Sequence, residues 1–199
     1  MKKSTTKVTI IIICLVAAMV GYYAYLSNRS YTQRSDSSMT FVQSTLARDL
    51  ENDYPATVKE VMKYYNDVMR CFYGETCTDE ELEELGYKVR ALYDDELLEA
   101  NEPEAYMERL KSDISAFKEA KRSITSYSVA ASTSVDYYTA DDFYFARILC
   151  GYNMVEGGVS TQINTIYLLR RDENRRWRIY GWESADAYEA AQESQESRN

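Results

Sequence analysis

The chain has 199 residues, with 32 acidic and 23 basic side chains, a net charge of −9 and not one histidine. A surface this acidic repels polyanions, so nucleic acid is excluded as a partner. The missing imidazole removes the usual neutral-pH acid–base group, the commonest zinc ligand and the ordinary Ser-His and Cys-His couples, and no cofactor is expected.

Residues 8–26 (VTIIIICLVAAMVGYYAYL) carry no charge and follow Lys2, Lys3 and Lys7. A helix of that length reaches about 28 Å, close to the ~30 Å hydrocarbon core of a bilayer, so a transmembrane anchor in contact with lipid is expected. The run is longer than a signal-peptide core, and Tyr22, Tyr23, Tyr25 and Leu26 make poor cleavage flanks. Flanking lysines favour a cytoplasmic N-terminus, and the tyrosines suit the outer headgroup level. The expected location is therefore the cell membrane, single-pass, with the C-terminal domain outside. Residues 27–38 are polar and aperiodic, which predicts a tether. Residues beyond 26 hold 20 basic and 32 acidic side chains.

Residues 39–53 carry Phe41, Val42, Leu46 and Leu50 in a weak helical pattern. Thr57 and Glu60 then form a capping-box pair, in which hydroxyl and carboxylate satisfy free N–H groups of a first turn. Val58, Val61, Met62, Tyr65, Val68, Met69 and Phe72 follow at helical spacing, predicting a helix over 58–73. Gly74 falls where a left-handed C-terminal residue is expected. A second capping box, Thr78 and Glu81, opens a helix with the stripe Leu82, Leu85, Val89, Leu92 and Tyr93. Its acidic start suits the helix dipole, whereas the Asp/Gly spacing of a calcium loop is absent. Residues 94–98 read as one helical turn. Pro103 stands in the first turn of a helix with Tyr106, Leu110, Ile114 and Phe117 on one face.

After Ser123 the period changes from 3.6 to 2. Strands are expected over 123–138, 143–155, 159–171 and 176–183, with turns at Asp141-Asp142, Gly157-Gly158 and 172–175. Gly151 and Gly181, inside strands, predict bulges. The last fifteen residues read as a fraying helix or a polar tail. The chain thus divides into 1–26 (cytoplasmic tip and anchor), 27–38 (tether), 39–184 (domain) and 185–199 (tail). The expected fold class is α+β, with about three helices on a curved four-stranded antiparallel sheet.

The helix bearing Val61, Tyr65 and Phe72, the long hairpins, and Trp177-Arg178-Ile179 after a polar turn resemble the cone-shaped fold of nuclear transport factor 2, shared by ketosteroid isomerase-like and SnoaL-like proteins. The resemblance covers about residues 55–184. The whole chain also looks like single-pass proteins of clostridial-type Gram-positive bacteria. The fold resemblance implies a pocket between helices and sheet, where a carboxylate and a tyrosine act in the isomerase-like enzymes. Asp136, Tyr137, Asp141 and Tyr152 are the required residue types, but no motif carries a catalytic role onto them.

The candidate pocket or interface residues are Tyr65, Asp136, Tyr152, Trp177 and Trp182. The two tryptophans, five apart on a strand, are expected on opposite faces. Cys71 and Cys77 bracket Gly74 and form a disulfide only if the turn brings their Cα atoms within roughly 7 Å. The expected function is a membrane-anchored, non-enzymatic module that binds or assembles an envelope protein. The alternative is a small-ligand sensor or an isomerase- or dehydratase-like enzyme using the cone pocket.

Overall fold

A computed structural model describes residues 39–196. The chain divides into two compact units, 1–40 and 41–199, and the description below concerns the second. The expected anchor over 8–26 and tether over 27–38 lie outside the described residues. Among the described residues no helix is long and apolar enough to cross a membrane. The expected single-pass placement, with a cytoplasmic N-terminus and an outside domain, is therefore not supported.

Six α-helices occur among the described residues: α1 (Phe41–Leu46), α2 (Val58–Gly74), α3 (Asp79–Arg90), α4 (Asp95–Glu99), α5 (Pro103–Glu119) and α6 (Ala185–Glu196). Both capping boxes form. The Glu60 N–H donates to Thr57 Oγ1 at 3.2 Å and the Glu81 N–H to Thr78 Oγ1 at 3.2 Å, with each glutamate accepting from its cap's backbone N–H. These contacts satisfy N–H groups that a helix leaves without internal partners. Asp94 caps α4 by accepting from the Glu96 N–H.

Gly74 has a different reason from the one its position suggested. It is the last residue of α2 and has no positive φ. A Cβ there would lie 2.5 Å from the Ile124 carbonyl oxygen, so the glycine permits the helix end to approach the sheet.

The sheet has five antiparallel strands, not four: β1 (Arg122–Val129), β2 (Asp136–Ala140), β3 (Phe143–Glu156), β4 (Val159–Arg171) and β5 (Trp177–Ser184). The stretch expected as one strand over 123–138 breaks at a 3-10 turn, Ser132–Ser134. Its halves pair with the same edge of β3, β1 along Cys150–Glu156 and β2 along Phe143–Arg147. β4 covers the other edge of β3, and β5 follows. The helix count also exceeds the expected three, because α1, α4 and α6 are full elements.

Tight connections follow from local backbone chemistry. Gly157 and Gly158 have φ of 58° and 87°, and Asp141 and Asp142 have 49° and 67°. Positive φ at both central residues gives the primed turn that matches strand twist. The free edge of β5 is covered by residues 92–94. The Asp94 N–H donates to the Ile179 carbonyl at 2.9 Å, and the Ile179 N–H donates to the Leu92 carbonyl at 2.8 Å. Covering an edge in this way blocks strand addition by another chain.

One face of the sheet packs on the helices. Ala146, Ile148, Cys150 and Tyr152 of β3, with Tyr167 and Leu169 of β4 and Ile179 of β5, join Met62, Val68, Leu85 and Leu92 in a single core. Two bulges interrupt the ladders. Thr125 is the extra residue in β1, and Tyr180 is the extra residue in β5 opposite the Leu168–Leu169 step. Gly181 sits beside the second bulge, as expected. Gly151 does not mark a bulge: it pairs in register, and a Cβ there would meet Ser128 Oγ at 2.9 Å and Asn164 Oδ1 at 3.1 Å.

A tyrosine-lined site between helices and sheet

At the heart of the helix-facing side, α2 places Asn66, which is fully buried. Position 66 falls one turn after Met62 and three residues before Met69, on a flank of the apolar stripe. Burying a carboxamide is unfavourable unless its hydrogen bonds are met, and here they are. Its Nδ2 donates to the Met62 carbonyl at 2.6 Å and reaches Cys150 Sγ at 3.5 Å, while Oδ1 accepts from the Tyr152 hydroxyl. The Tyr152 hydroxyl also lies 2.7 Å from that of Tyr167. Tyr152 and Tyr167 come from neighbouring strands, so one helix residue ties β3 and β4 to α2.

Around this network are two cavities. One, of about 200 Å³, is lined by Met69, Phe117, Ile124, Tyr152, Met154 and Tyr167, with Ile163 at its edge. The other, of about 210 Å³, is walled by Tyr65, Tyr73, Tyr93, Tyr106 and Trp182 together with Met69, Leu110 and the polar residues Asn101, Arg109 and Asp113. Met69 belongs to both walls. Tyr65 meets Tyr167 edge-on at 5.4 Å, Tyr93 meets Tyr106 at 6.1 Å, and Trp182 lies 6.2 Å from Tyr93 and 6.1 Å from Tyr167.

The electrostatics of this lining are uniform. Burial pushes the hydroxyls of Tyr65, Tyr93, Tyr106, Tyr152 and Tyr167 well above the ordinary phenol range. It lifts Tyr73 to about 12, with the charge of Asp113 adding to the rise. Each stays a neutral hydrogen-bonding group at ordinary pH. The thiols are equally unreactive, since burial raises Cys150 to about 12 and Cys71 to about 11, and the thiolate is the nucleophilic form.

The five residues expected at a pocket or interface separate. Tyr65 and Trp182 share one cavity, and Tyr152 lines the adjoining one. Asp136 stands apart: it is exposed at the start of β2, and its Oδ2 accepts from Arg147 Nη1 at 3.1 Å. Trp177 is 5 % exposed in another aromatic cluster, 5.7 Å from Tyr137 and 5.5 Å from Tyr144. The two tryptophans do not face opposite ways. The extra residue at Tyr180 restores them to one face, where Trp177 pairs with Arg171, Ile179 with Leu169, and Trp182 with Tyr167. Trp182, 49 % exposed, forms the cavity mouth. Cys71 and Cys77 are unbridged, and the Cys77 thiol donates to the Cys71 carbonyl at 3.4 Å.

Fold and cavity together define an α+β domain whose interior site is built of neutral tyrosines. The chain belongs to the family described as domain of unknown function DUF6715, whose profile matches residues 1–182. No curated protein matches the chain.

Proposed function

We propose that residues 41–196 form a non-catalytic binding module that holds a small ligand in the tyrosine-lined cavities between α2, α5 and the sheet. The observation that carries this reading is the adjacency of the two cavities across Met69. Ligand sites are concave and mostly apolar, with a few polar groups that fix orientation. The unbranched Met69 side chain is adaptable enough to yield to a guest.

The isomerase-like alternative needs a carboxylate beside the tyrosines. Asp136 is engaged by Arg147 away from the cavities. The carboxylate that does line the tyrosine cavity, Asp113, is at an exposed position on its rim and not among the buried hydroxyls. This favours binding over that chemistry. A second reading, contact with a protein partner, draws support from Tyr137 and Tyr144. These two stack at 6.0 Å and are 45 % and 40 % exposed, and exposed aromatic pairs are characteristic of interface anchors.

Titration with p-cresol, followed by calorimetry and thermal unfolding, tests the cavity reading. Saturable heat and a raised Tm are expected in the wild type, and both should vanish when Met69→Trp fills the shared wall. A folded wild type that gives no saturable response, or a Met69→Trp protein that responds unchanged, would reject the cavity as a ligand site.

A further inference from the structure

We propose that the cavity walled by Tyr65, Tyr73, Tyr93, Tyr106 and Trp182 is an aromatic cage for an organic cation, the trimethylammonium headgroup being the class that fits. This rests on the cavity being a ligand site, as proposed above, and adds the charge and shape of the guest.

Four observations converge. First, five aromatic side chains from α2, the segment after α3, α5 and β5 surround one space. Ring faces carry negative quadrupole charge and attract cations, most strongly when water is excluded. Second, the rings are set at different angles, Tyr93 to Tyr106 at 87° and Tyr93 to Trp182 at 38°. They enclose a rounded guest instead of sandwiching a flat one. Third, the volume of about 210 Å³ suits a headgroup; a dry cavity of roughly 150 Å³ already admits a benzene-sized guest. Fourth, a carboxylate lines the cavity of a chain that is acidic as a whole. Asp113 stands at the rim, and its field reaches the Tyr73 hydroxyl. The chain as a whole carries −9, which raises the local concentration of cations.

Two guanidiniums stand near the same rim, and both are engaged. Arg90 donates to the Asn101 carbonyl, and Arg109 donates to Asn101 Oδ1 at 2.8 Å. Asp113, one helical turn beyond Arg109, offsets its charge. Arg90 also lies 5.6 Å from the Tyr106 ring centroid, so the protein itself already sets a cation against one of these rings.

The test compares choline with its uncharged carbon isostere, 3,3-dimethyl-1-butanol, by calorimetry, which reads variants with and without Trp182 alike. The two differ in charge and hardly in shape, and choline's charge does not titrate. Choline is expected to bind about tenfold more tightly than the isostere. Trp182→Leu should lose about tenfold in choline affinity and Asp113→Asn about threefold. Both substitutions are at exposed positions, and circular dichroism confirms the fold of each variant. Tyr87→Ser, on the exposed face of α3 and outside the cavity, should bind choline as the wild type does.

Equal or tighter binding of the isostere overturns the cation assignment, as does a Trp182→Leu protein with unchanged affinity. If p-cresol saturates the site while choline does not bind, the cation inference falls and the ligand site stands. If neither binds, both fall.

Discussion

Two polar clusters lie on opposite sides of the sheet, and their chemistry differs in kind. On the helix-facing side, Asn66, Tyr152 and Tyr167 form a neutral network, every member of it buried. At the outer side and β5 edge, Arg170 holds Asp94 through two hydrogen bonds and Glu96 through a third. Its guanidinium also sits between the rings of Phe143 and Tyr180, 4.6 and 4.8 Å from their centroids. Arg147 is flanked similarly by Tyr138 and Tyr188, each at 4.9 Å. A neutral network can be buried fully once its hydrogen bonds are met. An ion pair loses hydration on burial, so it is better placed where one partner remains wet. Glu96 is that partner, with 58 % of its side chain exposed. The contrast teaches that the domain buries neutral hydroxyls and an amide without charge, and buries a carboxylate, Asp94, only where Arg170 pairs with it and the partly wet Glu96 completes the cluster.

Alkali should break the comparison most forcefully. Tyr54 and Tyr73 are raised to about 12 and the other core tyrosines are raised further, in each case chiefly by burial. A phenol raised by folding contributes stability that is fully present below its unfolded value near ~10 and is lost as pH climbs toward the folded value. At about 1.4 kcal/mol per pH unit for each hydroxyl, several together exceed a net stability of roughly 5–15 kcal/mol. Cooperative unfolding between about pH 10 and 12 is expected. Phenolate absorbance near 295 nm should rise in step with loss of the circular dichroism signal; a rise that clearly precedes unfolding would contradict the buried network.

Next in size is Asp94→Ala. Asp94 is 4 % exposed, and leaving Arg170 without its main carboxylate should cost about 3 kcal/mol in urea unfolding. A cost below about 1 kcal/mol would mean that the charged cluster is not structural. Acid should act on the same cluster. Glu96 is held below its usual range by its hydrogen bonds to Arg170 and Tyr180, so its contribution is present above the unfolded carboxylate value and fades as pH falls.

Asn66→Ala removes the hub of the neutral network and should cost about 2 kcal/mol, with little dependence on salt. Tyr152→Phe deletes one hydroxyl at the same hub and should cost about 1 kcal/mol. Smallest of the set, Arg147→Met should cost below about 1 kcal/mol, since its ring contacts and its pairing with Asp136 are partly solvated. If Arg147→Met proved costlier than Asn66→Ala, the ranking of interior over margin would be reversed.

Helix starts were the most legible part of the fold. Thr57/Glu60, Thr78/Glu81 and Pro103 each fix a boundary through contacts within a single turn, so local sequence suffices. The two-strand break at residues 130–135 was not legible, because the segment has strand-like composition. Its halves are distinguished only by where they meet β3. At the site, Tyr65, Tyr152 and Trp182 were found as candidates, while Asn66 and Tyr167 were missed. A polar residue on the flank of the Met62–Met69 stripe was the available signal for Asn66. Tyr167 shows itself only through its register with Trp182. Asp136 has the residue type that such a site needs, but the ladder pairs it with Arg147. The structure corrects the four-strand, three-helix expectation, and among the described residues no helix is long and apolar enough to support the expected membrane placement.

Along a strand, side chains have parity: odd positions show one face and even positions the other. The extra residue at Tyr180 is a parity change written into β5, and it alone lets Trp177 and Trp182 look toward the helices together. Deleting one residue there would leave the composition of the cavity walls almost untouched and yet send Trp182 to the opposite surface. The mouth of the site is therefore encoded by a count of residues as much as by their identities.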